Sequence, residues 1–88
     1  MTNIIKREDL IKKKSDFVSG EFSIAMKKAW STIESMHYKF EMDDQGYRRE
    51  TVTIHYVTSH DSIGSYQVVD VTGDSLIAIM SDVVKAVM

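Results

Sequence analysis

Cysteine and proline are both absent from this 88-residue chain, and glycine occupies only four positions. The first absence excludes a disulfide framework, a thiolate metal site and a cysteine nucleophile. With no proline, repeat or low-complexity stretch, nothing marks a linker between domains. The glycines, at positions 20, 46, 64 and 73, are too scattered to build a phosphate-cradling loop. No apolar run approaches the roughly 18 residues of a membrane span, and the opening stretch MTNIIKREDL lacks the long apolar core of a signal peptide. The expectation is one soluble, cytoplasmic domain over 1–88, with no membrane partner and no cofactor. A chain of this size buries only about 60–65% of the surface that its unfolded form exposes, so tight packing or a partner chain must supply part of its stability.

Charge is present in both signs but unevenly. Net charge is −2, yet residues 1–39 carry eight Lys or Arg against five acids, and residues 40–88 carry three against eight. Such a division suits either a polyanion at the basic end or neighbouring chains meeting basic face to acidic face.

From Ile4 to Val18 the apolar residues fall in pairs, Ile4/Ile5, Leu10/Ile11 and Phe17/Val18, separated by basic and acidic runs. This spacing predicts a leading basic amphipathic helix over 1–19, capped by Thr2 or Asn3 and ended by Ser19-Gly20, where glycine can take positive φ. A second helix is predicted over 21–36, because Phe22, Met26, Ala29, Ile33 and Met36 follow one another at spacings of four, three, four and three. After Ser35 the period changes to two. Tyr38, Phe40 and Met42 alternate with polar neighbours, as do Val52, Ile54 and Tyr56 in the β-branched segment from Tyr47 to Thr58. Between them DDQG has the composition of a hairpin loop, with aspartates bonding their own backbone and Gly46 in the left-handed position.

A third strand is predicted in SYQVVDVT, residues 65–72, and TGDS at 72–75 opens a final helix. One sheet face should carry Phe40, Val52 and Ile54 with either Val69/Val71 or Tyr66/Val68. The predicted fold is therefore α+β: a three-stranded antiparallel meander with helices on one face, in the order α-α-β-β-β-α. Residues 21–88 share their element order with the double-stranded RNA-binding domain. The likeness stops at topology, because that family opens its last helix with clustered lysines, whereas this chain has Asp74 and Asp82 and no base before Lys85.

Chemistry-bearing residues are sparse. Ser59, His60 and Asp61 are consecutive, and consecutive side chains diverge where a triad must converge. His37, His55 and His60 lie on three different elements, with no metal-ligand spacing. Asp43, Asp44 and Glu50 do not supply the alternating oxygens of a calcium loop. No catalytic residue and no metal ligand is assigned.

Three binding readings remain. Six methionines, four tyrosines and a tryptophan are interface-prone types, and the last helix is apolar nearly all round. Met26, Trp30, Met80, Val83, Val84 and Val87 are accordingly the candidate protein interface, with Met26 and Trp30 equally able to complete the core. A homodimer or an unidentified protein partner is expected, as in a compact inhibitor or accessory factor of the phage-encoded kind. Lys6, Arg7, Lys12, Lys13 and Lys14 form the candidate polyanion surface for the nucleic-acid alternative. Tyr47, Arg48, Arg49 and Tyr66 form the candidate site of a small ligand such as a nucleotide.

Overall fold

A computed structural model describes residues 7–57, 65–72 and 75–88. Its elements are α1 (Arg7–Phe17), a π-helical turn (Val18–Phe22), α2 (Ser23–Ala29), β1 (Ile33–Met42), β2 (Arg48–Tyr56), β3 (Tyr66–Asp70) and α3 (Leu76–Val87). The order is α-α-β-β-β-α, and the sheet is an antiparallel β1-β2-β3 meander.

The predicted break at Ser19-Gly20 does not occur. α1, the π turn and α2 run on as one helix of 23 residues, and Gly46 is the only residue with positive φ among those described. Two features carry the helix through. The Ser19 hydroxyl donates to the Ser15 carbonyl at 2.9 Å, and Val18 and Phe22 on either side of Gly20 are buried. In a regular helix, residues four apart drift by about 40° per step. The wider π turn absorbs that drift, so Val18, Phe22 and Met26, each four apart, all face the sheet. Tertiary burial thereby outweighs the low helix propensity of one glycine. The caps assigned to Thr2 or Asn3, and Ile4/Ile5, lie outside the described residues.

The second helix also ends earlier than predicted, at Ala29 rather than near Met36. Trp30 takes extended backbone angles, and Ile33 already belongs to β1. The spacing of three between Ile33 and Met36 that reads as helical comes from a β-bulge. The pairing with β2 shifts register between Ile33 and Ser35, and the extra residue puts Ile33 and Met36 on the same face of the strand.

The rest of the sheet follows its alternation. Met36 faces Ile54, Tyr38 faces Val52, and Val52 faces Val69. The register left open for β3 is thus settled with Val69 and Val71 inward and Tyr66 and Val68 outward. The hairpin closes as its composition predicts: the Asp43 carboxylate accepts from the Gln45 and Tyr47 amides, both at 2.9 Å, and Gly46 has φ 86°. Ser75 caps α3 through its hydroxyl, which accepts from the Ala78 amide at 3.0 Å. Ser59, His60 and Asp61, and Gly73 and Asp74 of the TGDS stretch, lie outside the described residues.

One apolar core results. Val18, Phe22 and Met26 from the long helix and Ile79 and Val83 from α3 enclose the inner sheet residues Met36, Tyr38, Val52, Ile54, Val69 and Val71. Both helical elements therefore lie on one face of the sheet. β3 runs toward the β1–β2 hairpin, so α3 begins at that end, beside the N-terminal half of α1.

Candidate functional site

At the hairpin end of the covered face, strand alternation places a carboxylate where the rest of the face is apolar. Glu50 lies two residues before Val52 and points inward with it. It would be costly there alone, since burying an unpaired charge requires a compensating partner. Lys14 on α1 supplies one: its Nζ donates to Glu50 Oε1 at 2.8 Å, and the two side chains are only 16% and 14% exposed. The Tyr38 hydroxyl donates to the same oxygen. Burial, then that hydrogen bond and the negative charge of Glu50, push the Tyr38 phenol well above its ordinary range. Lys14 also lies 5.8 Å from the Tyr38 ring centre.

Around this network is a groove of about 320 Å³ lined by Arg7, Leu10, Ile11, Lys14, Phe40, Arg48 and Glu50. A smaller hollow of about 240 Å³, between Leu10, Lys13 and Lys14 on one side and Ser75 and Leu76 on the other, continues it toward α3. The Arg7 guanidinium sits 6.0 Å from the Phe40 ring centre. Tyr47, Arg48 and Arg49 line a further hollow at the hairpin with Glu41, Met42 and Asp43.

The uncovered face of the sheet has a different character. Lys39 pairs with Glu41 and Arg49 with Asp70, each at 2.9 Å, toward the hairpin end. Glu41 is thereby held below the usual carboxylate range, first by the hydrogen bond and then by the charge of Lys39, and Asp70 raises the Arg49 guanidinium. Toward the other end His37 meets His55 edge-on with ring centres 5.5 Å apart, and Tyr66 lies 6.2 Å from His55. Among the described residues no three His, Asp or Glu side chains group as metal ligands.

These positions regroup the residues expected from sequence. Of the polyanion set, Lys12 pairs with Asp16 at 2.8 Å in solvent, whereas Lys14 turns inward to Glu50 and away from any common outer surface; Lys6 lies outside the described residues. Of the small-ligand set, Tyr47, Arg48 and Arg49 stay together at the hairpin, while Tyr66 is on the bare face beside His55. Arg48 and Arg49 are split between the two faces, since Arg49 pairs with Glu41 and Arg48 with Met42 in the register. The structure instead joins Arg7 and Lys14 from the first set to Arg48 from the second, with Phe40 as floor. Neither Glu50, weighed from sequence only as a calcium-loop oxygen, nor Tyr38, placed there only as a strand residue, was a candidate site residue, although the alternation Glu50-Val52-Ile54 already puts a carboxylate on an apolar face.

The candidate protein interface divides as well. Met26 and Val83 are buried within the chain, and Trp30, Val84 and Val87 are partly covered by its core. Met80 remains 38% exposed, and with Ile77 at 78% and Met88 at 85% it forms an outward stripe on α3 that runs through Val84. The spacing of 77, 80, 84 and 88 keeps them on one helix face.

No family model, curated protein or solved structure matches the chain. Among the described residues no helix is long and apolar enough to cross a membrane.

Proposed function

We propose that this chain is a protein-binding module whose contact surface is the outer stripe of α3. The observation that carries the reading is the double-sided character of that helix: Ile79 and Val83 are fully buried in the core while Ile77, Met80 and Met88 face outward. A helix that needed to cover only this sheet would be polar on its second side. The side chains of the stripe are uncharged, with the exposed Ser81 and Lys85 flanking it, so two copies related by a two-fold axis bring apolar surface against apolar surface. A second copy of the chain is the occupant proposed first, and a different protein presenting an apolar helix or groove uses the same residues in the role of inhibitor or accessory factor. The nucleic-acid reading draws less support, because Lys12 and Lys14 are both engaged by carboxylates of this chain.

Sedimentation equilibrium across a wide concentration range tests the proposal. Self-association that is lost in Met80→Glu and in Ile77→Asp, with unchanged far-ultraviolet circular dichroism, is the expected result. A single chain at all concentrations, together with a flat apparent mass for the variants, removes the second copy as occupant.

A further inference from the structure

The geometry points to a ligand site separate from the α3 stripe: the groove between α1 and the hairpin end of the sheet takes a small amphipathic anion, a carboxylate or phosphate monoester with an apolar body. The cations around it carry the first part of the inference. Four ion pairs occur among the described residues, and they engage Lys12, Lys14, Lys39 and Arg49. The other six described cations have no acidic partner among the described residues, and three of them, Arg7, Lys13 and Arg48, gather at this one place while Lys27, Lys28 and Lys85 line none of the hollows around it. Arg7 and Arg48 line the groove itself, and Lys13 lines its continuation toward Ser75 and Leu76. The one carboxylate in the wall, Glu50, is already occupied by the Lys14 ammonium and the Tyr38 hydroxyl. Its charge is offset within the protein, so the guanidiniums of Arg7 and Arg48 leave the site with a surplus of positive charge and fork-shaped donors suited to carboxylate or phosphate oxygens.

The floor decides the rest of the ligand. Leu10, Ile11 and Phe40 form an apolar bed beneath those cations, and Arg7 already lies against the Phe40 ring. About 320 Å³ is at the lower end of the range for pockets that hold a small organic molecule. A bare inorganic anion would leave this bed wet. A long polyanion reaching past the hairpin would meet the exposed charges of Asp43 and Asp44, which repel it. An apolar body ending in one anionic group satisfies both parts.

The test uses the full chain and 1-anilinonaphthalene-8-sulfonate, an aromatic body bearing one negative charge, as a fluorescent probe. Decyl phosphate and decanoate are expected to displace it, while decanol, inorganic phosphate and a short single-stranded oligonucleotide are not. The Arg7→Glu/Arg48→Glu variant is expected to weaken probe binding by about tenfold or more, as loss of a charge-assisted contact requires. Arg49→Glu, on the opposite face, is expected to leave it unchanged, and so is Met80→Glu on the α3 stripe. Circular dichroism checks that each variant is folded. Displacement by decanol as effective as by decyl phosphate, displacement by the oligonucleotide, or unchanged affinity in the double charge reversal each overturns the site. Loss of the probe in Met80→Glu overturns it too, by moving the binding to α3. None of these readings depends on whether the chain self-associates.

Discussion

The Lys14 ammonium on α1 and the Glu50 carboxylate on β2, 36 residues apart in sequence, meet at 2.8 Å where the helix crosses the sheet. With the Tyr38 hydroxyl on the same oxygen, this is a polar clasp set into an otherwise apolar interface. Breaking such a pair on one side leaves the other charge poorly solvated, whereas replacing both sides by apolar groups of similar shape removes the desolvation cost as well. Lys14→Met alone is therefore expected to destabilise the fold by about 2 kcal/mol, and the double replacement Lys14→Met/Glu50→Leu, made in a Tyr38→Phe background so that no phenol is left without its acceptor, to recover most of that loss. Denaturant melts of the two single variants and the double variant in that background measure the coupling directly. Additive losses would mean that the clasp contributes nothing as a pair.

Tyr38 gives the clasp a pH signature. Its phenol titrates above the ordinary value of 10.0 in the folded chain, because burial and the Glu50 carboxylate both disfavour the phenolate. A raised folded value means that the folded state holds this proton more tightly than the unfolded state does. The corresponding stability is complete below pH 10 and is lost as pH rises through the window between the unfolded and folded values. Stability is thus expected to fall in the alkaline range, and Tyr38→Phe to remove that component while costing about 1–2 kcal/mol at neutral pH for the lost hydrogen bond to a charged group. Chemical denaturation at pH 7, 9.5 and 11 separates the two effects. An unchanged alkaline slope in Tyr38→Phe would assign it to other groups.

The hairpin depends on two residues whose roles were readable from composition alone. Gly46 has φ 86°, a region that costs an L-residue about 1–2 kcal/mol, and a side chain there would meet nothing within 4 Å. Gly46→Ala is consequently expected to lose about 1 kcal/mol through backbone strain alone. Asp43→Ala should lose a similar amount by leaving the Gln45 and Tyr47 amides without their acceptor. Thermal melts of both variants check this, and no loss in Gly46→Ala would mean that the turn has relaxed to another conformation.

The hairpin was legible because its signals are local: an aspartate at the first turn position and a glycine where φ must be positive. So was the inner face of β1 and β2, where Val52 and Ile54 alternate strictly with polar neighbours, whereas in β3 alternation fits Val69/Val71 and Tyr66/Val68 equally and only the pairing with β2 chooses the former. Two boundaries were not legible, for a common reason. Gly20 reads as a stop when only its own propensity counts, but burial of Val18 and Phe22 holds the helix through a π turn. Ile33 and Met36 read as one helix turn, because a β-bulge reproduces a spacing of three within a strand. The groove was hidden for a different reason. Arg7, Phe40 and Arg48 come from three elements, and only the crossing of α1 over the sheet at Lys14 and Glu50 brings them together.

The two isoleucines on α3 provide the sharpest contrast between core and contact surface, because they share chemistry, helix and near-identical position. Ile79 is fully buried among the core residues, whereas Ile77, two positions earlier and about 200° round the helix, is 78% exposed. Truncating Ile79 to alanine removes buried methyl groups and leaves a cavity, so a loss of about 3 kcal/mol is expected. The same truncation at Ile77 exposes no cavity in an isolated chain and is expected to cost about 0.5 kcal/mol or less at low concentration. A second copy seated on the stripe changes only the second value: the melting temperature of the unsubstituted chain then rises with concentration, and Ile77→Ala flattens that rise. Melts of both variants at low and high concentration therefore read the core and the contact surface separately. A large Ile77→Ala loss that does not depend on concentration would place that side chain inside the fold rather than on a surface for a partner.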